Sequence, residues 1–234
     1  MFRSAIVSVL LGLATASTLV AQADLGQQEE AAFRAAVQRV APAVVRIETV
    51  GGLEQVGKVL IGTGPTTGVV VSEDGYIVSS AFNFANKPST ILVGLPDGSR
   101  VSARMVATDH ARMLVLLKVD VQEKLVVPVA APESEMSVGQ WAIAVGRTFE
   151  GQQPNMSVGI LSAVNRIYGK ALQTDAKISP NNYGGALVDL RGRVLGVLSP
   201  LSASGNAKVS GGSGGGARSA ATRGSALPCR WNIF

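Results

Sequence analysis

A turn at residues 181–185, with the sequence Asn-Asn-Tyr-Gly-Gly, carries the most specific chemical pattern in the chain. It is flanked by apolar segments and has the shape of a loop that presents a nucleophile. The backbone amides of Asn181 and Tyr183 could form an oxyanion-hole-like pair, because the following glycines allow a tight turn and Asn181 tolerates a left-handed backbone. The reaction served would be attack on a peptide carbonyl, which also needs a nucleophile and a base.

Few side chains could supply those two groups. His110 is the single histidine, and it stands beside Asp109 at the start of a strand-like segment, where a surface loop histidine is expected. Tyr183 would need a base to lower a phenol pKa of about 10. The serines considered are more simply explained as strand and turn residues: Ser79, Ser80 and Ser179.

The elements that must position this turn are strands. A short amphipathic helix is predicted at 29–40 and a strand at 43–50. A first group of strands follows at 68–72, 76–79, 90–95, 100–107 and 113–119, with Asp-Gly pairs at 74–75 and 97–98 as tight turns. A second group lies at 141–145, 157–165, 171–175, 186–189 and 193–198. The pattern predicts an all-β pair of small barrels.

The two ends of the chain differ from this middle part. Residues 1–23 have a positively charged start, a short apolar run and a small-residue site at Ala23, which together predict a secretory signal peptide. The run is too short and too interrupted for a membrane anchor, so no membrane span is expected after its removal. The Gly- and Ser-rich composition of 201–234 predicts a disordered tail, so the folded domain is expected at 24–200.

The net charge of +5 comes from the signal and the tail. Residues 24–205 contain 16 basic and 16 acidic side chains, so no basic face for nucleic acid is expected. Cys229 is the single cysteine, which excludes an intramolecular disulfide and a multi-thiolate metal site, and no cofactor is indicated. Export without disulfides is compatible with a bacterial periplasm.

The order of motifs resembles the high-temperature-requirement (HtrA, or protease Do) branch of the trypsin-like serine proteases. Four segments, at 40–47, 62–78, 95–119 and 173–197, carry the resemblance. It implies a trypsin/chymotrypsin-like double β-barrel with a short N-terminal helix, and peptides or unfolded proteins as partners. An oligomer is compatible with it.

The resemblance also places the catalytic triad, residue by residue. The histidine position is Phe82, the aspartate position is Met113 and the serine position is Tyr183, so all three groups are substituted. Asp175 matches a structural aspartate of the family motif. The resemblance therefore implies an exported protease homologue that is proteolytically inactive and binds peptides or proteins in envelope quality control.

Two alternatives stay open at this stage. One is an active serine-type endopeptidase with a non-standard catalytic set, for which His110 is the available imidazole. The other is a truncated or frameshifted, non-functional product, because the resemblance requires a strand after Leu198 to close the second barrel and the sequence offers a Gly/Ser-rich tail there. The second barrel is therefore expected to lack its closing strand.

Overall fold

The computed structural model describes residues 25–51, 54–56, 59–61, 65–85, 87–148, 153–169, 171–200 and 223–228. The chain begins in this range with helix α1 at 25–40, four residues longer at its start than predicted. Its residues Ala36, Val37 and Val40 are buried at helical spacing. A 3₁₀ turn at Ala41–Ala43, which contains Pro42, ends the helix and leads into the first strand.

The first barrel is closed and antiparallel. Its strands run in the spatial order β1-β4-β5-β8-β7-β6, and β6 pairs back onto β1. The first eight strands of the chain are β1 Val44–Val50, β2 Glu54–Val56, β3 Val59–Ile61, β4 Thr66–Val70, β5 Tyr76–Ser80, β6 Thr90–Gly94, β7 Arg100–Asp109 and β8 Leu114–Val119. The β2–β3 hairpin, which was not predicted, lies outside the barrel. The predicted turns are confirmed, since Gly75 and Gly98 have φ values of 101° and 90°.

The second barrel repeats this architecture with the order β10-β11-β14-β13-β12-β9. The remaining elements are β9 Trp141–Gly146, β10 Asn155–Asn165, helix α2 Arg166–Gly169, β11 Ala171–Lys177, β12 Ala186–Val188, β13 Val194–Ser199 and β14 Arg223–Pro228. Each barrel has its own apolar core. The predicted all-β double barrel is therefore confirmed, with strand ends shifted by one or two residues in most cases.

A third apolar cluster joins the two barrels to the helix. It contains Val37 and Val40 of α1, Val44 of β1, and Ile143 and Val145 of β9. Phe33 extends it through an edge-to-face contact with Trp141, whose ring centroid is 5.3 Å away. Because residues from both barrels share this cluster, it fixes their relative position.

The closing strand of the second barrel comes from an unexpected place. Residues up to Ser199 supply five of its six strands, and the sixth, β14, lies within the stretch predicted to be disordered. β14 pairs antiparallel with both β11 and β13. A Gly/Ser-rich segment can bury little apolar surface, but the edges of β11 and β13 carry backbone groups that can pair with a strand of almost any sequence.

Three sequence predictions fall outside the described residues. These are the signal peptide at 1–23, the glycine motif at 62–64 and the tail other than β14. Within the part of the chain that the structure describes, no helix is long and apolar enough to cross a membrane.

Breaking the β14 ladder should destabilise the second barrel. Ala226 is paired with Leu172 on one side and Leu198 on the other, and Ala226→Pro removes its amide donor. We expect the free energy of unfolding to fall by about 1–3 kcal/mol, measured by thermal unfolding of the purified chain. Gln122→Pro, in the exposed connection after β8, is the matched control. Equal melting temperatures for Ala226→Pro and the unsubstituted chain would contradict the assignment of β14.

Candidate functional site

The turn that opened the sequence analysis lies between β11 and β12. Residues Pro180–Asn182 form a 3₁₀ helix. Ser179, which precedes this helix, has an extended backbone conformation. The amide of Tyr183 donates to the carbonyl of Pro180 at 3.2 Å, and the amide of Asn182 donates to the carbonyl of Ser179 at 2.9 Å. Ser179 therefore contributes its backbone to the turn.

This geometry bears on the proposed oxyanion pair. An oxyanion hole needs two amides that point at a common acceptor, and in this conformation the Tyr183 amide donates to a carbonyl within its own turn. The hydrogen bond to Pro180 would have to break, by rotation of the intervening peptides, before Asn181 and Tyr183 could form such a pair. The oxyanion-hole-like role of Asn181 and Tyr183 stays a prediction.

Tyr183 is a core residue of the second barrel. Its side chain is 4% exposed and packs in the cluster that contains Leu187 and Leu198. Its carbonyl accepts a hydrogen bond of 2.7 Å from Oγ1 of Thr66 in the first barrel. Tyr183, which the resemblance assigned to the serine position, thus joins the two barrels through both its backbone and its ring.

Phe82 lies directly against Tyr183. The ring centroids are 5.4 Å apart and the ring planes cross at 82°, an edge-to-face arrangement. Phe82 sits in the 3₁₀ helix Ala81–Phe84, where its amide donates to Oγ of Ser80 at 3.3 Å. The fold therefore brings together two of the positions that the resemblance assigned to the triad.

Met113 reaches the same place through its backbone. It adopts a left-handed conformation with φ 55°, and its carbonyl accepts the amide of Ala81 at 2.8 Å, one residue before Phe82. Oγ of Ser199 donates to the same carbonyl at 3.3 Å. The three positions Phe82, Met113 and Tyr183 therefore converge at the junction of the barrels.

Several hydroxyl groups at this junction form hydrogen bonds with amides, carbonyls and other hydroxyls. Ser79 donates to the carbonyl of Thr67 at 2.7 Å, and Oγ of Ser80 lies 3.5 Å from Oγ of Ser199. Nδ2 of Asn83 donates to Oγ1 of Thr66. A hydroxyl becomes a good nucleophile when an adjacent base accepts its proton. These contacts order the junction but do not activate an oxygen.

The remaining sequence candidates have other positions. His110 is exposed in the turn between β7 and β8, next to the ion pair of Asp109 and Arg112, whose nearest atoms are 2.9 Å apart. Oδ1 of Asp175 accepts the amide of Ile160 at 2.7 Å and so links β11 to β10. That contact fits the structural role expected for Asp175.

Sequence reasoning missed the polar residues that hold the turn in place. Oγ1 of Thr67 donates to the carbonyl of Asn181 at 3.3 Å and accepts the amide of Arg147 at 3.0 Å. Oδ1 of Asn182, which is 7% exposed, accepts a hydrogen bond of 2.7 Å from Nδ2 of Asn155. Two adjacent threonines before a strand glycine, at 66–68, were the signal that could have indicated a hydroxyl contact.

A buried cation lies next to this turn. Arg147 is 2% exposed, and its Nη2 donates to the carbonyl of Ala41 at 2.9 Å, across the interface with the N-terminal helix. Burial lowers the pKa of the Arg147 guanidinium, because desolvation disfavours its charged form. Among the described residues, no group of three or more His, Cys, Asp or Glu side chains could hold a metal ion.

Gly184 shows how closely the turn approaches the first barrel. Its φ is 87°, and a Cβ atom there would collide with Oγ of Ser79 and the carbonyl oxygen of Thr67. Its amide donates to the carbonyl of Leu198 at 2.7 Å. Only glycine fits this position, because both the backbone conformation and the space exclude a side chain.

Gly184→Ala should therefore loosen the junction. We expect the free energy of unfolding to fall by about 2–4 kcal/mol, the sum of overpacking and left-handed strain. Gly139→Ala is the matched control, because Gly139 has φ 89° but no neighbour within 4 Å of its added Cβ. Chemical denaturation measures both, and equal losses for the two variants would contradict the close approach.

Comparisons with known proteins agree with this architecture. A family model described as a trypsin-like peptidase domain matches residues 66–197. A probable periplasmic serine endoprotease DegP-like of Halomonas elongata is 36% identical over 140 residues, which are 58% of this chain and 29% of that protein. Another of the same name, from Hahella chejuensis, is 32% identical over 202 residues, 72% of this chain and 42% of that protein. Serine protease HTRA1A of Danio rerio is 34% identical over 171 residues, 69% of this chain and 35% of that protein. The chain thus spans less than half the length of these curated relatives.

Proposed function

The chain belongs to the trypsin-like peptidase family, on its HtrA/DegP-like branch. We propose that it is a proteolytically inactive member of that family, because Phe82, Met113 and Tyr183 stand at the positions that the resemblance assigns to the triad. Its role is to bind extended peptides or unfolded protein segments, and not to cleave them. The names of its bacterial relatives and the predicted signal peptide support a place in the cell envelope, where such binding would serve protein quality control.

The contact between Phe82 and Tyr183 is the observation that carries this proposal. The two rings meet edge to face where a base and a nucleophile would have to exchange a proton. A phenyl ring has no proton to exchange, and a phenol, with an ordinary pKa of about 10, is a poor nucleophile at neutral pH. An edge-to-face contact contributes to packing and needs no chemistry to explain it.

The expected loss of turnover is large, whereas peptide binding does not depend on the triad. Loss of triad function reduces turnover by about 10⁴-fold or more in serine proteases. The substitution of all three positions leaves the backbone and polar contacts at the junction of the barrels in place. Binding of an extended chain can use backbone hydrogen bonds and shape, which do not depend on the triad.

Active-site labelling tests the absence of catalysis. We expect no reaction of the purified chain with a fluorophosphonate probe and no cleavage of casein, because no base is placed to activate a hydroxyl. Trypsin under the same conditions is the positive control. Labelling of the combined variant Phe82→His, Met113→Asp and Tyr183→Ser, but not of the unsubstituted chain, would assign the loss to these positions.

Labelling or casein turnover by the unsubstituted chain would contradict the proposal. Preparations of Ser80→Ala and Ser199→Ala would then show whether the activity belongs to a hydroxyl at the junction or to a contaminant. His110→Ala would test the non-standard catalytic set directly, since it removes the only imidazole in the chain.

A further inference from the structure

The outer face of the first barrel brings four cations together on neighbouring strands. They are Arg46 of β1, Arg100 and Arg104 of β7, and Lys118 of β8. Residues of the opposite parity on these strands pack in the core of the barrel, so the four side chains point outward. We propose that this face binds an extended segment of a partner protein, which lies along β7 and has two acidic residues four positions apart. The inference goes beyond the function proposed above, because none of these cations belongs to the junction of the barrels.

At one end of this face, two guanidinium groups share one carboxylate. Arg46 and Arg100 are both paired with Gly94 of β6, which has no side chain to separate them. Nη2 of Arg46 lies 3.0 Å from Oε1 of Glu48, and Nη2 of Arg100 lies 3.8 Å from the same oxygen. The longer contact is not a hydrogen bond, and the Arg100 side chain is 65% exposed. Among the described residues, this end therefore keeps one positive charge that no ion pair balances, and Arg100 presents it to solvent.

At the other end, two cations stand directly opposite each other. Arg104 is paired with Lys118 across β7 and β8, and like charges in such a pair repel. Lys118 has partners of its own, since its Nζ lies 3.2 Å from Oδ2 of Asp74 and 4.6 Å from the ring centroid of Tyr76. Arg104 is exposed and forms no ion pair with any residue that the structure describes. Arg104 therefore presents the second unbalanced charge.

The strand spacing defines the ligand. Arg100 and Arg104 are four residues apart on one strand, which corresponds to about 13 Å. An extended ligand has the same rise per residue, so acidic side chains four positions apart reach both cations from one side. Between them lies Ser102, which is paired with half-buried Leu92 of β6. An apolar residue of the ligand fits over this point, midway between its two acids.

Other polyanions match this face less well. A nucleic-acid strand carries one phosphate for about every 3.4 Å of its length, and recognition of an anionic membrane uses clusters of about four to eight basic residues. Two unbalanced charges about 13 Å apart fit neither pattern. Two carboxylates on one extended segment match both the number and the spacing of the cations.

Three labelled nonapeptides test the site with the full chain. The first has glutamate at positions 3 and 7 and valine at position 5. The second exchanges the residues at 5 and 7, and the third has glutamine in place of both glutamates of the first. Fluorescence anisotropy at low salt should show the first peptide binding about threefold more tightly than the second and about tenfold more tightly than the third, because each exposed ion pair contributes about threefold.

A charge exchange locates the bound peptide. Arg104→Glu should weaken binding of the first peptide, and a peptide with lysine in place of one glutamate should recover the affinity on this variant. Arg34→Glu, on an exposed part of α1, makes the same change of charge and should leave all affinities unchanged. Thermal unfolding of each variant verifies that it is folded, as expected for substitution of an exposed side chain.

Equal affinities for the first and second peptides would overturn the inference, because a diffuse positive field does not distinguish the spacing of two charges. Failure of the first peptide to bind, or of the lysine peptide to recover binding on Arg104→Glu, would also overturn it. Tighter binding of duplex DNA or of phosphatidylglycerol vesicles, lost in Arg104→Glu, would assign the face to a different anion. None of these results bears on the proposed lack of proteolysis, since active-site labelling does not involve this face.

Discussion

The hydrogen bond from Thr66 to the carbonyl of Tyr183 joins the two barrels at the point on which the rest of the site depends. It is one of several contacts that cross the same short distance, together with the bond from Thr67 to Asn181 and the close approach of Gly184 to Ser79. Buried polar groups of this kind must be satisfied, because each unpaired one costs about 1–3 kcal/mol. The turn is consequently held in one position by the first barrel although it belongs to the second.

This constraint explains why Phe82, Met113 and Tyr183, at the positions that the resemblance assigns to the triad, are compatible with a folded double barrel. Family proteases use the junction to hold three reactive groups at fixed distances. Here the same junction holds a ring contact, a backbone carbonyl of Met113 and a set of hydroxyls with partners of their own. The position of the turn comes from backbone and threonine contacts and not from the triad side chains. Substitution at the three positions is therefore compatible with the same fold.

Much of the fold could be predicted from the sequence, because Asp-Gly turns and β-branched runs are local signals. The hairpin at Gly75 and the strand at Trp141–Gly146 are examples. The convergence of Phe82, Met113 and Tyr183 could be inferred only through the resemblance, since residues so distant along the chain have no local signal in common. The role of Thr66 and the strand β14 could not be predicted. The first depends on a contact across 117 residues, and the second depends on pairing with the edges of β11 and β13, which lie far from β14 along the chain.

The proposed function requires that Phe82 and Tyr183 interact by packing and not by proton transfer. A double-mutant cycle of Phe82→Leu and Tyr183→Leu, followed by chemical denaturation, measures the interaction between the two rings directly. We expect a favourable coupling free energy of about 0.5–1.5 kcal/mol between the two rings. Phe82→Leu and Trp141→Leu are the control pair, because these two rings belong to different ring contacts. Their effects on the free energy of unfolding should be additive. Additivity of the Phe82 and Tyr183 substitutions, within about 0.3 kcal/mol, would contradict the account.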